Sequence, residues 1–166
     1  MTDDDPRKRF FDLLSDFETA MLVTVDREGR LRSRPMQIAR MEHSGDLWFV
    51  TSLSSGKTEE IAADVRCAVA LQSKRHFVSI TGTAELVNDA ELVNRLWSDA
   101  WRPWFPHGPS DPELVLIHFE AEEAEYWDTA GVHGVRHMFR VAKAFVKGER
   151  LDDSGEEPED HASVPL

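Results

Sequence analysis

The sequence predicts a mainly β fold, a closed antiparallel barrel with helices at its margins, and three observations carry that reading. Six or seven short strand-like segments recur along the chain, most are joined by turns too tight for anything but hairpins, and helical periodicity is confined to the chain ends and two connections. A parallel doubly wound sheet would need a crossover between each pair of neighbouring strands, whereas here hairpins join most of them.

The elements follow in order. Phe10, Leu13, Leu14 and Phe17 have helical spacing behind a run of acids, so the chain opens with a short amphipathic helix. Residues 20–25 read as a strand, Asp26 to Gly29 as a turn, and residues 30–41 as a longer strand completing a hairpin. A second turn at residues 43–46 leads into the strand Leu-Trp-Phe-Val-Thr-Ser and then, through Ser54-Ser55-Gly56-Lys57-Thr58, into a short helix over 59–65. Residues 66–72 and 77–87 form another hairpin, in which Gly82 suggests a bulge or tight bend. Asp89 caps a helix expected over 90–101 that stops before Pro103. A loop rich in proline covers 103–112, strands are expected at 113–119 and 124–127, and an apolar stripe from Val135 to Val146 predicts a last helix.

The chain of 166 residues is long enough for one domain, expected to span 1–148. Residues 149–166 read as an acidic, disordered tail: from Glu149 to Asp160 there are seven acids and one arginine, with no aromatic residue to bury. Half of the net charge of −12 lies there. A charge of −12 with no basic stripe argues against nucleic acid as a partner. No apolar run approaches the roughly 20 residues of a membrane span, and the acidic opening is unlike a secretion signal. One cysteine, Cys67, closes no intrachain disulfide, so a cytoplasmic location and an inert core thiol are expected.

Two basic motifs stand out. Thr51 to Thr58 lies between a strand and a helix, where free N–H groups, serine and threonine hydroxyls and the Lys57 cation suit a phosphate; the ordinary alternative is Ser55 as a helix cap with Lys57 in solvent. The stretch lacks the first glycine of a P-loop, so a nucleoside triphosphatase is not expected. On the second strand, a period of two puts Arg32, Arg34 and Met36 on one face, either a ligand surface or a solvated edge. Trp97, Trp101 and Trp104 would align on a helix, as core packing, a dimer contact or a ligand wall. His133 and His137 lack a third ligand, so no metal site is expected.

Taken together, Ala-Met-Leu-Val-Thr-Val, Asp-Arg-Glu-Gly-Arg, Arg-Ser-Arg-Pro-Met, Leu-Trp-Phe-Val-Thr-Ser and Gly-Lys-Thr resemble the flavin-binding split barrels of the pyridoxamine 5′-phosphate oxidase-like superfamily. Leu96 to Pro109, then Asp-Pro-Glu-Leu-Val-Leu-Ile and Ala-Glu-Tyr-Trp-Asp128, are similar to its general stress protein 26 branch. The resemblance covers about residues 6–148. It implies a six-stranded antiparallel split barrel, a homodimer, and FMN in clefts between subunits. Matching positions imply that Arg34, Pro35 and Met36 line the flavin and its phosphate, Val50 and Thr51 follow the ring edge, Lys57 grips the phosphate, and Trp127 approaches from the other subunit.

The chain also departs from the oxidases. Gly56 replaces a second basic residue, Phe77 replaces a glutamine, and no Arg-Leu-x-Pro ending follows Leu151, so vitamin B6 oxidation is not expected and FAD or a deazaflavin stand as alternatives to FMN. The leading functional expectation is a flavin-dependent oxidoreductase of unknown substrate. A non-enzymatic flavin carrier comes next, followed by a phosphate binder without flavin. No catalytic acid or base is identifiable from the sequence.

Overall fold

A computed structural model describes residues 10–12, 14–128 and 161–165. Its strands are β1 (Thr19–Val25), β2 (Leu31–Met41), β3 (Leu47–Ser52), β4 (Arg66–Gln72), β5 (His76–Val87), β6 (Leu114–Asp128) and β7 (His161–Pro165). Two helices join them, α1 (Gly56–Ala63) and α2 (Ala90–Leu96). All pairings are antiparallel, in the order β3-β2-β1-β4-β5-β6, and β3 pairs with β6 to close a six-stranded barrel. β7 is added to the outer half of β6.

Alternation along the strands fills the barrel. Leu22 on β1, Phe49 on β3, Val69 on β4, Ile80 on β5 and Phe119 on β6 point inward and are fully buried. Residues 10–12 and 14 are helical, and Phe10 and Leu14 are fully buried in this same core. Cys67 joins it, and burial, with the negative charge of Asp64 beside it, pushes the thiol up to about 11, which makes it inert at neutral pH.

The first turn is built around Asp26. Its Oδ1 accepts the N–H groups of Glu28 (3.0 Å) and Arg30 (2.9 Å), while Oδ2 accepts from Nε of Arg30 (2.9 Å) and of Arg32 (3.0 Å). Gly29, at φ +76°, supplies the left-handed residue that closes it.

Gly82 marks a bend. The β5–β6 register shifts between Thr81 and Gly82, which face Glu123 and Ala121, so Glu122 is the extra residue of a bulge. The Oδ1 atom of Asp46 accepts the Ala121 N–H there at 3.0 Å. The expected strands at 113–119 and 124–127 are therefore one strand, bent and not broken, because the bulge keeps the ladder continuous across it.

The expectations about the C-terminal part need correction or fall outside the described residues. The tail reading extended to residue 166, but residues 161–165 form β7; the acids end at Asp160, and the uncharged Ala-Ser-Val-Pro stretch can pair with the outer edge of β6. The last helix, the His133 and His137 pair, and residues 149–160 lie outside the described residues. α2 is also shorter than expected. It starts as read, with Asp89 accepting the N–H groups of Glu91 and Leu92, but Trp97 leaves helical geometry at ψ 134°. Ser98 then caps a separate 3-10 turn at Asp99–Trp101, so the three tryptophans share no helix face. Among the described residues, no helix is long and apolar enough to cross a membrane.

Candidate functional site

β2 and β3 pair only from Ile38–Phe49 to Met41–Leu47. Before Ile38, β2 is held by β1 alone, and after Phe49, β3 is held by β6. Pro35, which has no N–H to offer a ladder, stands on β2 three residues before Ile38, within the parted stretch. A cavity of about 390 Å³ opens in that gap.

One end of the cavity is polar. Thr51 and Ser52 end β3, and Ser55 and Lys57 begin α1. The Lys57 Nζ donates to Thr51 Oγ1 at 3.0 Å and to Ser55 Oγ at 3.3 Å. Thr58 Oγ1 donates to the Ser52 carbonyl at 2.9 Å, and Ser52 Oγ donates to Glu113 Oε2 at 2.8 Å, so the loop is fastened to the start of β6. Those serine contacts hold the Glu113 carboxyl below its usual range. Burial, reinforced by the charge of Arg34 and opposed by Glu60, pulls Lys57 below its ordinary 10.5. An anion bound beside the ammonium would relieve that cost. Ser55 does occupy the cap position, but its side chain makes no cap bond and turns to Thr51, Thr58 and Lys57 instead.

The other end is apolar. Met36 and Val50 meet Trp101, Trp104 and Phe105 from the loop after α2. Trp101 and Phe105 are anchored in a second core with Leu92, Leu114 and Leu116, on the outer side of the β3 and β6 strands. Buried Asp111 ties down the far end of the loop: it accepts from the backbone N–H (3.2 Å) and Nδ1 (3.2 Å) of His107 and from the Glu113 N–H (3.1 Å). Between them lies the 3-10 turn Gly108–Ser110, with Gly108 at φ +72°.

Of the sequence-derived candidates, Pro35, Met36, Val50, Thr51 and Lys57 line this one cavity, and Arg34 and Trp127 do not. Arg32, Arg34 and Met36 share a face as the period of two predicts, but that face runs from the core at buried Met36 to the rim at exposed Arg32. At Arg34 it is covered by α1, where Arg34 Nη2 donates to Glu60 Oε2 at 2.6 Å and Nη1 donates to buried Thr24. Trp127 lies on β6 opposite Phe77 of β5 and His161 of β7. Sequence reasoning missed Glu60 as the partner of Arg34, Gln37 in the cavity wall, and Phe105; the signal for Glu60 was its place one helical turn after Lys57.

Comparison with known proteins gives a consistent picture. Protein bli-3 of Neurospora crassa is 32% identical over 129 residues, which cover 68% of this chain and 62% of that protein, so the match spans less than two thirds of that relative. General stress protein 26 of Bacillus subtilis is 30% identical over 129 residues, covering 74% of this chain and 89% of the relative. The crystal structure of the general stress FMN/FAD binding protein of Xanthomonas citri superposes with a TM-score of 0.62 at 30% identity, covering 74% of this chain and 87% of that one. The profile described as pyridoxamine 5′-phosphate oxidase like matches residues 5–152. With that match over a closed antiparallel barrel of the same kind, the chain belongs to the pyridoxamine 5′-phosphate oxidase-like family.

Proposed function

We propose that this protein is an FMN-binding protein of the general stress type that works as a flavin-dependent oxidoreductase. The observation that carries the reading is the two-ended cavity between β2 and β3. A cation and three hydroxyls lie at one end and Met36, Val50 and aromatic side chains at the other, a match for a ligand with an anionic tail and a flat ring. The cavity volume falls within the roughly 300–1,000 Å³ of small-molecule sites. The relative from Xanthomonas citri is itself described as FMN/FAD binding, which adds support.

Lys57, Thr51, Ser52 and Ser55 would hold the phosphate, with Arg34 adding a longer-range positive field partly cancelled by Glu60. Met36 and Val50 would pack along the ring and exclude water from it. The bound flavin supplies hydride or electron transfer, and the protein supplies position and electrostatics.

A homodimer belongs to the same proposal. The outer faces of β2, β1, β4 and β5 carry two rows in register, Pro35–Met21–Ala70–Ser79 and Ser33–Val23–Ala68–Thr81, without a single charge. In a chain that is 30% charged, such an uncharged sheet face suits a second copy, and Pro35 places the cavity at its border. Trp127 would then reach the flavin from the partner subunit.

A second reading, a flavin carrier without turnover, rests on a specific observation. Among the described residues, Lys57 is the one titratable side chain lining the cavity, and none of the carboxylates or imidazoles described lines it to move a proton. The absorbance spectrum of the purified protein tests the whole proposal and separates FMN or FAD from a deazaflavin. A colourless protein whose addition leaves FMN fluorescence unchanged rules flavin out. A yellow protein whose flavin is reduced by NADH or NADPH without oxygen supports the oxidoreductase, and one that resists both donors supports the carrier.

A further inference from the structure

Two tryptophan indoles outside the cavity are satisfied within the protein. Trp48 Nε1 donates to Glu42 Oε1 at 2.9 Å, and Trp97 Nε1 donates to Asp99 Oδ1 at 3.2 Å. The two tryptophans that line the cavity differ. Neither Trp101 nor Trp104 has a side-chain hydrogen bond among the described residues. For Trp101 that is costly, because the residue is 7% exposed and a buried indole N–H normally finds an acceptor. Trp104 shows the opposite anomaly, a large aromatic ring 71% exposed on a loop that is otherwise firmly held.

The loop explains how both are presented. Trp101 stands edge-on to Trp97, with ring centroids 5.8 Å apart, and sinks with Phe105 into the second core. The N–H groups of Trp104 and Phe105 both donate to the Trp101 carbonyl at 3.0 Å. Pro103 and Pro106 bracket the pair and restrict its backbone. Trp104 is thus held between two anchors and left largely uncovered among the described residues.

We infer that Trp101 and Trp104 form the ring-recognition wall of this cavity, Trp104 covering the face of a flat heteroaromatic ring and Trp101 donating its indole N–H to an acceptor on that ring. The inference rests on the proposed flavin reading and deepens it: the wall is supplied by the same chain as Lys57, and it selects the ring where Lys57 selects the phosphate. A ring with carbonyl or imine acceptors on its edge satisfies the orphaned donor, and a stacked aromatic face removes the exposed indole from water.

Titrations with FMN and with riboflavin, which lacks the phosphate, test it on the wild type and on Trp104→Ala, Trp101→Phe and Lys57→Ala. Trp104→Ala is expected to weaken FMN and riboflavin by the same factor, about tenfold. Trp101→Phe keeps a ring in the core and deletes only the donor, so it is expected to weaken both flavins about fivefold, near the worth of one neutral hydrogen bond. Lys57→Ala is expected to weaken FMN alone. The indole N–H resonance of Trp101 should also shift when FMN is added to the wild type. The inference is overturned if the wild type binds flavin and Trp104→Ala and Trp101→Phe bind both flavins unchanged, or if Trp104→Ala acts only by lowering the sedimentation mass. A wild type that binds neither flavin overturns the flavin reading itself. Trp104 is exposed and contributes little to the fold, so its variant carries the test even where Trp101→Phe melts early.

Discussion

Arg34 and Glu60 are joined across the barrel end at 2.6 Å, from Nη2 to Oε2, and both accept Thr24 into the same cluster: its hydroxyl donates to Glu60 Oε2 at 2.5 Å and accepts from Arg34 Nη1. Thr24 is fully buried, and the two charged side chains are about four-fifths covered. The cluster therefore clamps α1, which carries Lys57, onto β1 and β2.

Arg34→Ala leaves Glu60 without its cationic partner in that covered setting, so unfolding stability should fall by about 1–3 kcal/mol. A urea-unfolding cycle with Glu60→Ala checks this. The double variant should lose clearly less than the sum of the single losses, and strict additivity would show that the pair is not coupled.

The barrel was legible in the sequence because its evidence is local. Period-two alternation from Ala20 to Val25, the Asp26 turn and the glycine at position 82 each report on neighbouring residues. The partition of the site was less legible. Nothing local says that Arg34, two residues from Met36, turns under α1 to meet Glu60, 26 residues away, while Pro35 and Met36 face the cavity. That depends on where β2 and β3 separate, a non-local property of register. The end of α2 was misread for a related reason: Trp97 leaves the helix well before Pro103 compels it to, because Ser98 offers a new cap and the apolar side chains have a second core to enter.

Gly82 tests the bulge directly. A Cβ built there would lie 2.0 Å from the backbone oxygen of Glu120 and 3.1 Å from the Phe119 ring, and backbone cannot yield as a flexible side chain would. Gly82→Ala should destabilise by about 1–3 kcal/mol or fail to fold. Thermal melts alongside Gly29→Ala separate space from backbone conformation, since Gly29 has nothing within 4 Å and a strained φ alone.

Asp26 gives an acid-pH prediction. Burial pushes its carboxyl up, but the hydrogen bonds from the Arg30 backbone and side chain, from Arg32 and from the Glu28 N–H outweigh it and hold it at about 2, below the ordinary 3.8. A group depressed on folding stabilises the native state above its unfolded value, so this contribution is complete above about pH 3.8 and lost as the pH falls towards 2. Asp26→Asn should be less stable than the wild type at neutral pH, and the gap between their melting temperatures should close between pH 4 and 2. A gap that stays constant across that window would show that the carboxylate charge is not what holds the turn.

The last prediction adds a charge where one is missing. Gly56 opens α1 beside Lys57, has no positive φ, and a Cβ there would meet nothing within 4 Å. A longer side chain therefore fits at the position, beside the polar end of the cavity where the proposed phosphate would lie. Gly56→Arg should therefore tighten FMN, because a guanidinium beside the Lys57 ammonium would face the dianion, and leave riboflavin within about twofold. The gain should shrink as salt is raised, as expected for an exposed charge. Equal tightening of both flavins would place the new side chain against the ring, and no tightening of FMN would show that the start of α1 is not where the phosphate lies.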